Sequence, residues 1–209
     1  MDVAGPRFIC ATLYVGDGGS TLRSFNVTNL SAPVAQGTLN TEDGLFPADE
    51  LAYSPSAKLI FAANSANSPA YASLITATPS LALATGNITI PGQVASGGME
   101  QPVWDPTTGT FFVSVPTVNG MDAGGVQEFS KTGAPLRTYT FSSLGVSSCA
   151  SAGLALGGSG NLLVACANAG TQTIVLNPGM DSLQPGSARC PGRTRSGTIQ
   201  RATHSTSPA

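Results

Sequence analysis

Four segments of this chain can be laid on one another: TLYVGD from Thr12, KLIFAA from Lys58, TFFVSV from Thr110 and NLLVAC from Asn161. Their starts are separated by 46, 52 and 51 residues. Each opens on a polar residue, continues with three large apolar ones and closes on small ones. LAYSPSA, PVWDPTTG and LALGGSG precede the last three copies, each an apolar strand running into a turn with Pro or Gly. Strand, turn and strand make each pair a hairpin. A third strand follows in every copy (TLRSFNV, YASLITA, GVQEFSK, TQTIVLN). A fourth follows in the first three (VAQGTLN, ATGNITI, LRTYTFS).

A period of about 50 residues with four antiparallel strands is the pattern of a β-propeller blade. One blade cannot bury both of its faces, so neighbouring blades must stack around a channel. The expected fold is all-β: a WD40-like propeller of four-stranded antiparallel blades over residues 1–179. About four blades are present, with the last strand of the fourth missing. The apolar triplets, from Leu13-Tyr14-Val15 to Leu162-Leu163-Val164, are expected to be inner-strand core. Val27, Ile75, Phe129 and Val175 take the same part on the third strands.

The strand order, the turn chemistry and YVGDGGSTLRSFNVTN resemble the YVTN, or YncE-like, family of β-propellers, over roughly Pro6 to Pro178. The resemblance implies a ring of six or seven blades. Lactonases and sugar-lactone hydrolases occur on similar propellers, and so do non-catalytic binding proteins. It is a resemblance of fold and specifies no reaction.

Charge distribution narrows the function. The chain has 9 Lys and Arg against 11 Asp and Glu. The first 179 residues carry a net charge of −5, and the last thirty, with Arg189, Arg193, Arg195 and Arg201, carry +3. An acidic body lacks the basic footprint that nucleic acid requires, so no nucleic-acid partner is expected. No run of about 18 apolar residues is present, so no membrane span is expected. The single histidine, His204, lies in the tail. The body therefore holds no Ser-His-Asp triad and no histidine zinc site.

Aligning the repeats brings Asp49-Glu50, Glu100-Gln101 and Ser151-Ala152 to equivalent positions before the inner hairpins. Oxygen-bearing side chains converging on a channel mouth suit a hard cation such as Ca²⁺ or another divalent ion, a proton acceptor, or the hydroxyls of a sugar. Asp49, Glu50, Glu100, Gln101 and Ser151 are the candidate ligand-binding residues, with Asp49 and Glu100 the candidate metal ligands. No cofactor is evident otherwise, and no catalytic residue is assigned. Asn64, Asn168 and Asp17, at the ends of the second strands, are weaker candidates that turn formation also explains.

The function expected is a non-catalytic scaffold presenting a surface to a protein or to a small carbohydrate or lactone. The alternative is a lactonase-like hydrolase, a metal-dependent lactone or ester hydrolase using a carboxylate-bound ion.

Of Cys10, Cys149, Cys166 and Cys190, none lies in a C-x-x-C pair. Cys149 and Cys166 flank the GGSG hairpin. If Gly157 pairs with Gly160, then Ser151 faces Cys166 and Cys149 faces Asn168; a shift of two residues sets the sulfurs opposite each other. A disulfide there implies an oxidising compartment, extracellular or periplasmic; free buried thiols are the other reading. No secretory signal is visible, so a signal for export would lie outside this chain. Three N-x-S/T sequons begin at Asn26, Asn29 and Asn87 and bear on function only in a glycosylating pathway.

From Met180 onward the chain has no Val, Phe, Tyr or Trp. Residues 180–209 read either as a disordered tail or as the next blade in a shifted frame. Codons for Arg189 to Ala209, read from their third bases, permit VPGADEVWYNPAGDTLYFAS, a string that matches ADELAYSP (Ala48 to Pro55) at five of eight positions in its ADEVWYNP stretch. A fragment of a longer propeller would expose strand faces at its open blade edges and self-associate there, or close into a strained four-bladed ring.

Overall fold

A computed structural model describes residues 11–41, 46–90, 98–120, 123–168 and 173–183. The basic tail, His204, Cys10 and Cys190 lie outside them. The fold is all-β, with four antiparallel sheets in chain order.

The first sheet has three strands, β1 (Thr12–Asp17), β2 (Thr21–Asn26) and β3 (Val34–Asn40). The second contains β4 (Glu50–Ser54), β5 (Leu59–Asn64), β6 (Tyr71–Thr76) and β7 (Ala82–Ile88). The third contains β8 (Pro102–Asp105), β9 (Thr110–Val115), β10 (Gly125–Ser130) and β11 (Pro135–Thr140). The fourth contains β12 (Ser151–Leu156), β13 (Leu162–Cys166), β14 (Thr173–Asn177) and the two-residue β15 (Ser182–Leu183). Each sheet is a meander in sequence order, as expected for propeller blades. The fourth blade does have a last strand: Leu183 pairs with Leu176 and Ser182 with Asn177, inside the stretch expected to be structureless.

The apolar triplets fall on the second strands of the blades, β1, β5, β9 and β13. The first strands, β4, β8 and β12, lie inside them and adjoin one another, so they form the inner wall. Three apolar layers fill the spaces between sheets. Leu22, Ile60, Ala62, Ile75 and Leu81 are buried between the first and second sheets. Phe61, Leu74, Trp104, Phe111, Val113 and Phe129 fill the second space. Phe112, Val126, Tyr139, Leu154, Leu162 and Ile174 fill the third.

Whether a triplet is core depends on which blade carries it. The middle blades have neighbours on both sides, so β9 is buried at every position and β5 at all but its first. The outer blades have one neighbour, so burial alternates along β1 and β13. Leu13 is 47% exposed, Val15 36% and Leu163 46%, where the repeat alone predicts core. The same alternation corrects the third strands. Ile75 and Phe129 are buried as expected, but Ile174 and Leu176 take the place assigned to Val175, and Leu22 that assigned to Val27. A strand's side chains alternate between faces, so an error of one position reverses the assignment.

Buried hydroxyls and amides tie the first two blades together. Ser24 Oγ donates to Pro79 O at 2.5 Å, Ser20 Oγ to Phe46 O at 2.7 Å and Ser73 Oγ to Thr41 O at 3.2 Å. The Asn64 amide donates to Thr41 Oγ1 at 3.0 Å. Among the described residues no helix is long and apolar enough to cross a membrane.

Candidate functional site

Asp49 and Glu100 stand at the same place in successive blades, each just before the innermost strand. Their backbone N–H groups donate to equivalent carbonyls of the second strands, Asp49 to Ala63 and Glu100 to Ser114, both at 2.9 Å. Gln101 follows Glu100 as Glu50 follows Asp49, and its N–H reaches across to Ala152 O in the next blade at 3.3 Å. Because β4 and β8 are neighbours, the carboxyl groups of two blades lie near enough at one end of the inner wall for their charges to act on one another.

Their charges act on one another. Burial, then the charges of Glu100 and Asp49, push the Glu50 carboxyl up to about 8. Burial and the Asp49 charge raise Glu100 as well. Glu50 Oε2 is buried without a hydrogen-bond partner, which fits a carboxyl group held in its neutral form. The site at neutral pH therefore presents a protonated Glu50 carboxyl, able to donate, beside the carboxyl oxygens of Asp49 and Glu100.

Two residues that sequence reasoning did not single out shape this cluster. Ser65 Oγ donates to Asp49 Oδ2 at 3.2 Å. Gly98 has φ +75°, and a Cβ there would lie 2.3 Å from Ser65 O, so only glycine lets the chain cross Ser65 on its way to Glu100. The Gly-Gly pair before Met99 was the available signal.

Ser151 has a different role. It is fully buried, and its hydroxyl has two carbonyl acceptors within reach of its one proton, Gly125 O at 2.6 Å and Val115 O at 2.8 Å. It also accepts from the N–H groups of Val115 at 3.2 Å and Gly125 at 3.3 Å. These contacts join the fourth blade to the third and occupy the hydroxyl with backbone. Asn64 is likewise buried against Thr41, and Asp17 pairs with Arg23 at 2.7 Å. Asn168 lies beyond β13 and is exposed.

Cys149 and Cys166 form a disulfide, with Cα atoms 4.5 Å apart. The two-residue shift is not needed. Leu156 pairs with Leu162, and an irregularity between Ser151 and Gly153 then restores the expected Ser151–Cys166 pairing. Ala150, at φ 43°, turns the chain so that Cys149 reaches Cys166 diagonally.

Among the described residues no group of three or more His, Cys, Asp and Glu side chains is arranged to hold a metal ion. The site is three coupled carboxyl groups with no histidine among the described residues.

No family model matches this sequence, and no curated protein matches it. Solved structures do. One, a protein of unknown function from Bacteroides thetaiotaomicron, is 13% identical over 83% of this chain and 44% of its own, with a TM-score of 0.55. This chain thus spans less than half of that structure, and the likeness is one of fold. A periplasmic gluconolactonase from Pseudomonas aeruginosa is 16% identical over 83% of this chain and 67% of its own, with a TM-score of 0.43. A protein of unknown function from Bacteroides caccae is 16% identical, with coverages of 82% and 70% and a TM-score of 0.38.

A pH-dependent stability follows from the site. The folded-state affinity of Glu50 for its proton exceeds that of the unfolded chain. Its contribution is therefore neutral below about pH 4.5, where both states are protonated, grows destabilising above that as the unfolded chain ionises, and reaches its full size above about pH 8. Glu50→Gln should match the parent near pH 4 and exceed it by about 1–3 kcal/mol near pH 9, allowing for solvent screening. Urea denaturation at both pH values measures this; a variant less stable at the higher pH contradicts it.

Proposed function

We propose that this propeller is a non-catalytic binding module that takes a small hydroxyl-rich ligand of the carbohydrate or lactone class at Asp49, Glu50, Glu100 and Gln101. The observation that carries the reading is the meeting of carboxyl groups from two adjacent blades, one of them retaining its proton near neutral pH. A sugar hydroxyl both donates and accepts, and a neutral carboxyl, with its O–H and its C=O, offers both complements. The acidic body and its lack of histidine support binding over hydrolysis. The Cys149–Cys166 disulfide supports a periplasmic or extracellular setting.

Calorimetric titration with neutral monosaccharides and glucono-δ-lactone tests the proposal. Saturable binding is expected, weakened about tenfold or more by Glu100→Gln, a loss of about 1.4 kcal/mol. Binding that survives both Glu50→Gln and Glu100→Gln sinks it.

The second reading, a metal-dependent lactone hydrolase, rests on the same carboxyl groups. Asp49 and Glu100 would hold the ion, a Lewis acid for the lactone carbonyl. Lactone opening that requires Ca²⁺ or Mn²⁺ and is lost in Glu100→Gln would replace the binding reading with this one.

A further inference from the structure

We propose that Gln101 and Ser114 form a second, uncharged subsite at the junction of the third and fourth blades, which makes the ligand a chain of two linked hydroxyl-bearing rings. This subsite rests on the binding reading above and lengthens the ligand it takes by one unit.

The repeat builds two successive junctions from equivalent positions. Asp49 and Glu100 donate their N–H groups to Ala63 O and Ser114 O, so Ser114 is the counterpart of Ala63. Glu50 pairs with Ala63 across its hairpin. One blade on, Pro102 pairs with Val113, and the Ser114 N–H donates to Gln101 O at 3.1 Å. Gln101 and Ser114 thus stand where Glu50 and Ala63 stand.

Each pair faces the blade that follows it. Ala52, two residues after Glu50, packs in the layer between the second and third blades. Val103, two residues after Gln101, and Phe112, two before Ser114, pack in the layer between the third and fourth. Val126, opposite Ser114 on β10, belongs to the same layer. Alternate side chains of a strand share a face, so Gln101 and Ser114 turn toward the fourth blade at the end of the wall where Glu50 and Glu100 lie.

Both junctions hold polar atoms without partners. Ser114 is fully buried, and its Oγ, like Glu50 Oε2 one blade earlier, has no hydrogen-bond partner among the described residues. Native folds rarely leave a buried hydroxyl unpaired, because nothing then offsets the loss of its water. The half-buried Gln101 side chain makes no hydrogen bond among the described residues either. It can therefore turn aside from Ser114 and admit a ligand. Its amide and the Ser114 hydroxyl each donate and accept without carrying charge. They complement the hydroxyl and ring oxygens of a sugar, not a cation or a carboxylate.

The equivalent pair in the fourth blade is Ser151-Ala152. Val115 and Gly125 engage the Ser151 hydroxyl, and Ala152 has no polar side chain, so no third subsite follows. Glu100 and Gln101 are consecutive, about 3.8 Å apart at Cα, so the two subsites adjoin and one linked pair of rings reaches both.

Calorimetric titration of the full chain with maltose, cellobiose and lactose, against glucose and galactose, tests the proposal. The best-bound disaccharide is expected to bind the parent about tenfold more tightly than either monosaccharide, the worth of one or two added hydrogen bonds. Ser114→Ala should reduce that preference to about twofold or less, whereas Glu100→Gln weakens both kinds of sugar and retains it. Urea unfolding of Ser114→Ala should show stability equal to or above that of the parent, because an unpaired hydroxyl is removed. Equal binding of both kinds of sugar by the parent, or a preference that survives Ser114→Ala, overturns the second subsite and leaves the one-ring site standing. A folding equilibrium about tenfold or more weaker in Ser114→Ala also overturns it, since the hydroxyl would then have a partner within the fold. Failure of every sugar to bind overturns the subsite together with the reading on which it rests.

Discussion

Phe111→Ala is expected to lower the unfolding free energy by about 3–5 kcal/mol. The ring is fully buried in the layer between the second and third blades. Its centroid is 4.7 Å from that of Trp104 and 5.4 Å from that of Phe61, which in turn lies 5.5 Å from Phe129. These rings come from β8, β9, β5 and β10, so the cluster joins two blades, and truncation leaves a void between stiff sheets that cannot close over it. Leu163→Ala, the same kind of truncation at a half-exposed position, should cost about 1 kcal/mol or less. Urea unfolding of the two variants measures the contrast. Equal losses would mean that the second and third blades are not packed face to face.

Removing the Cys149–Cys166 bond as the double variant Cys149→Ala/Cys166→Ala should cost about 3 kcal/mol. The bond closes a loop with a sequence separation of 17, and the unfolded chain regains that freedom when it is removed. The loss acts at one junction, because Ser151 ties the fourth blade to Val115 and Gly125 of the third only two residues from Cys149. Exchange at the amides of β12 and β13 should therefore accelerate more than at β5 and β6. Peptide mapping without reductant identifies the linked pair; free Cys149 and Cys166 in the folded chain would contradict the assignment.

The strands themselves were legible because a 50-residue period repeats both apolar runs and turn signals, and each copy supports the others. Leu13, Val15 and Leu163 were misassigned for a reason internal to repeats. The pattern says which positions face a neighbouring blade but not whether that neighbour is there. Val175 was misassigned because Val175, Ile174 and Leu176 are all apolar, and composition cannot set the parity of such a run. The carboxyl groups of Asp49, Glu50 and Glu100 were legible from repeat alignment alone. Their coupling was not, since it depends on burial and on β4 lying beside β8. Ser151 occupied an equivalent position in the alignment, yet its hydroxyl is spent on backbone groups of the preceding blade. The left-handed turn at Ala150 that brings Cys149 to Cys166 left no mark in the residue types.

Binding at this end of the channel requires that two blades bring their carboxyl groups to one place. The direct measurement is the titration of the Glu50 carboxyl carbon by nuclear magnetic resonance, in the parent and in Glu100→Gln. A midpoint near 8 is expected in the parent, moving down when the Glu100 charge is removed. A midpoint near 4.5 that is the same in both proteins would contradict it.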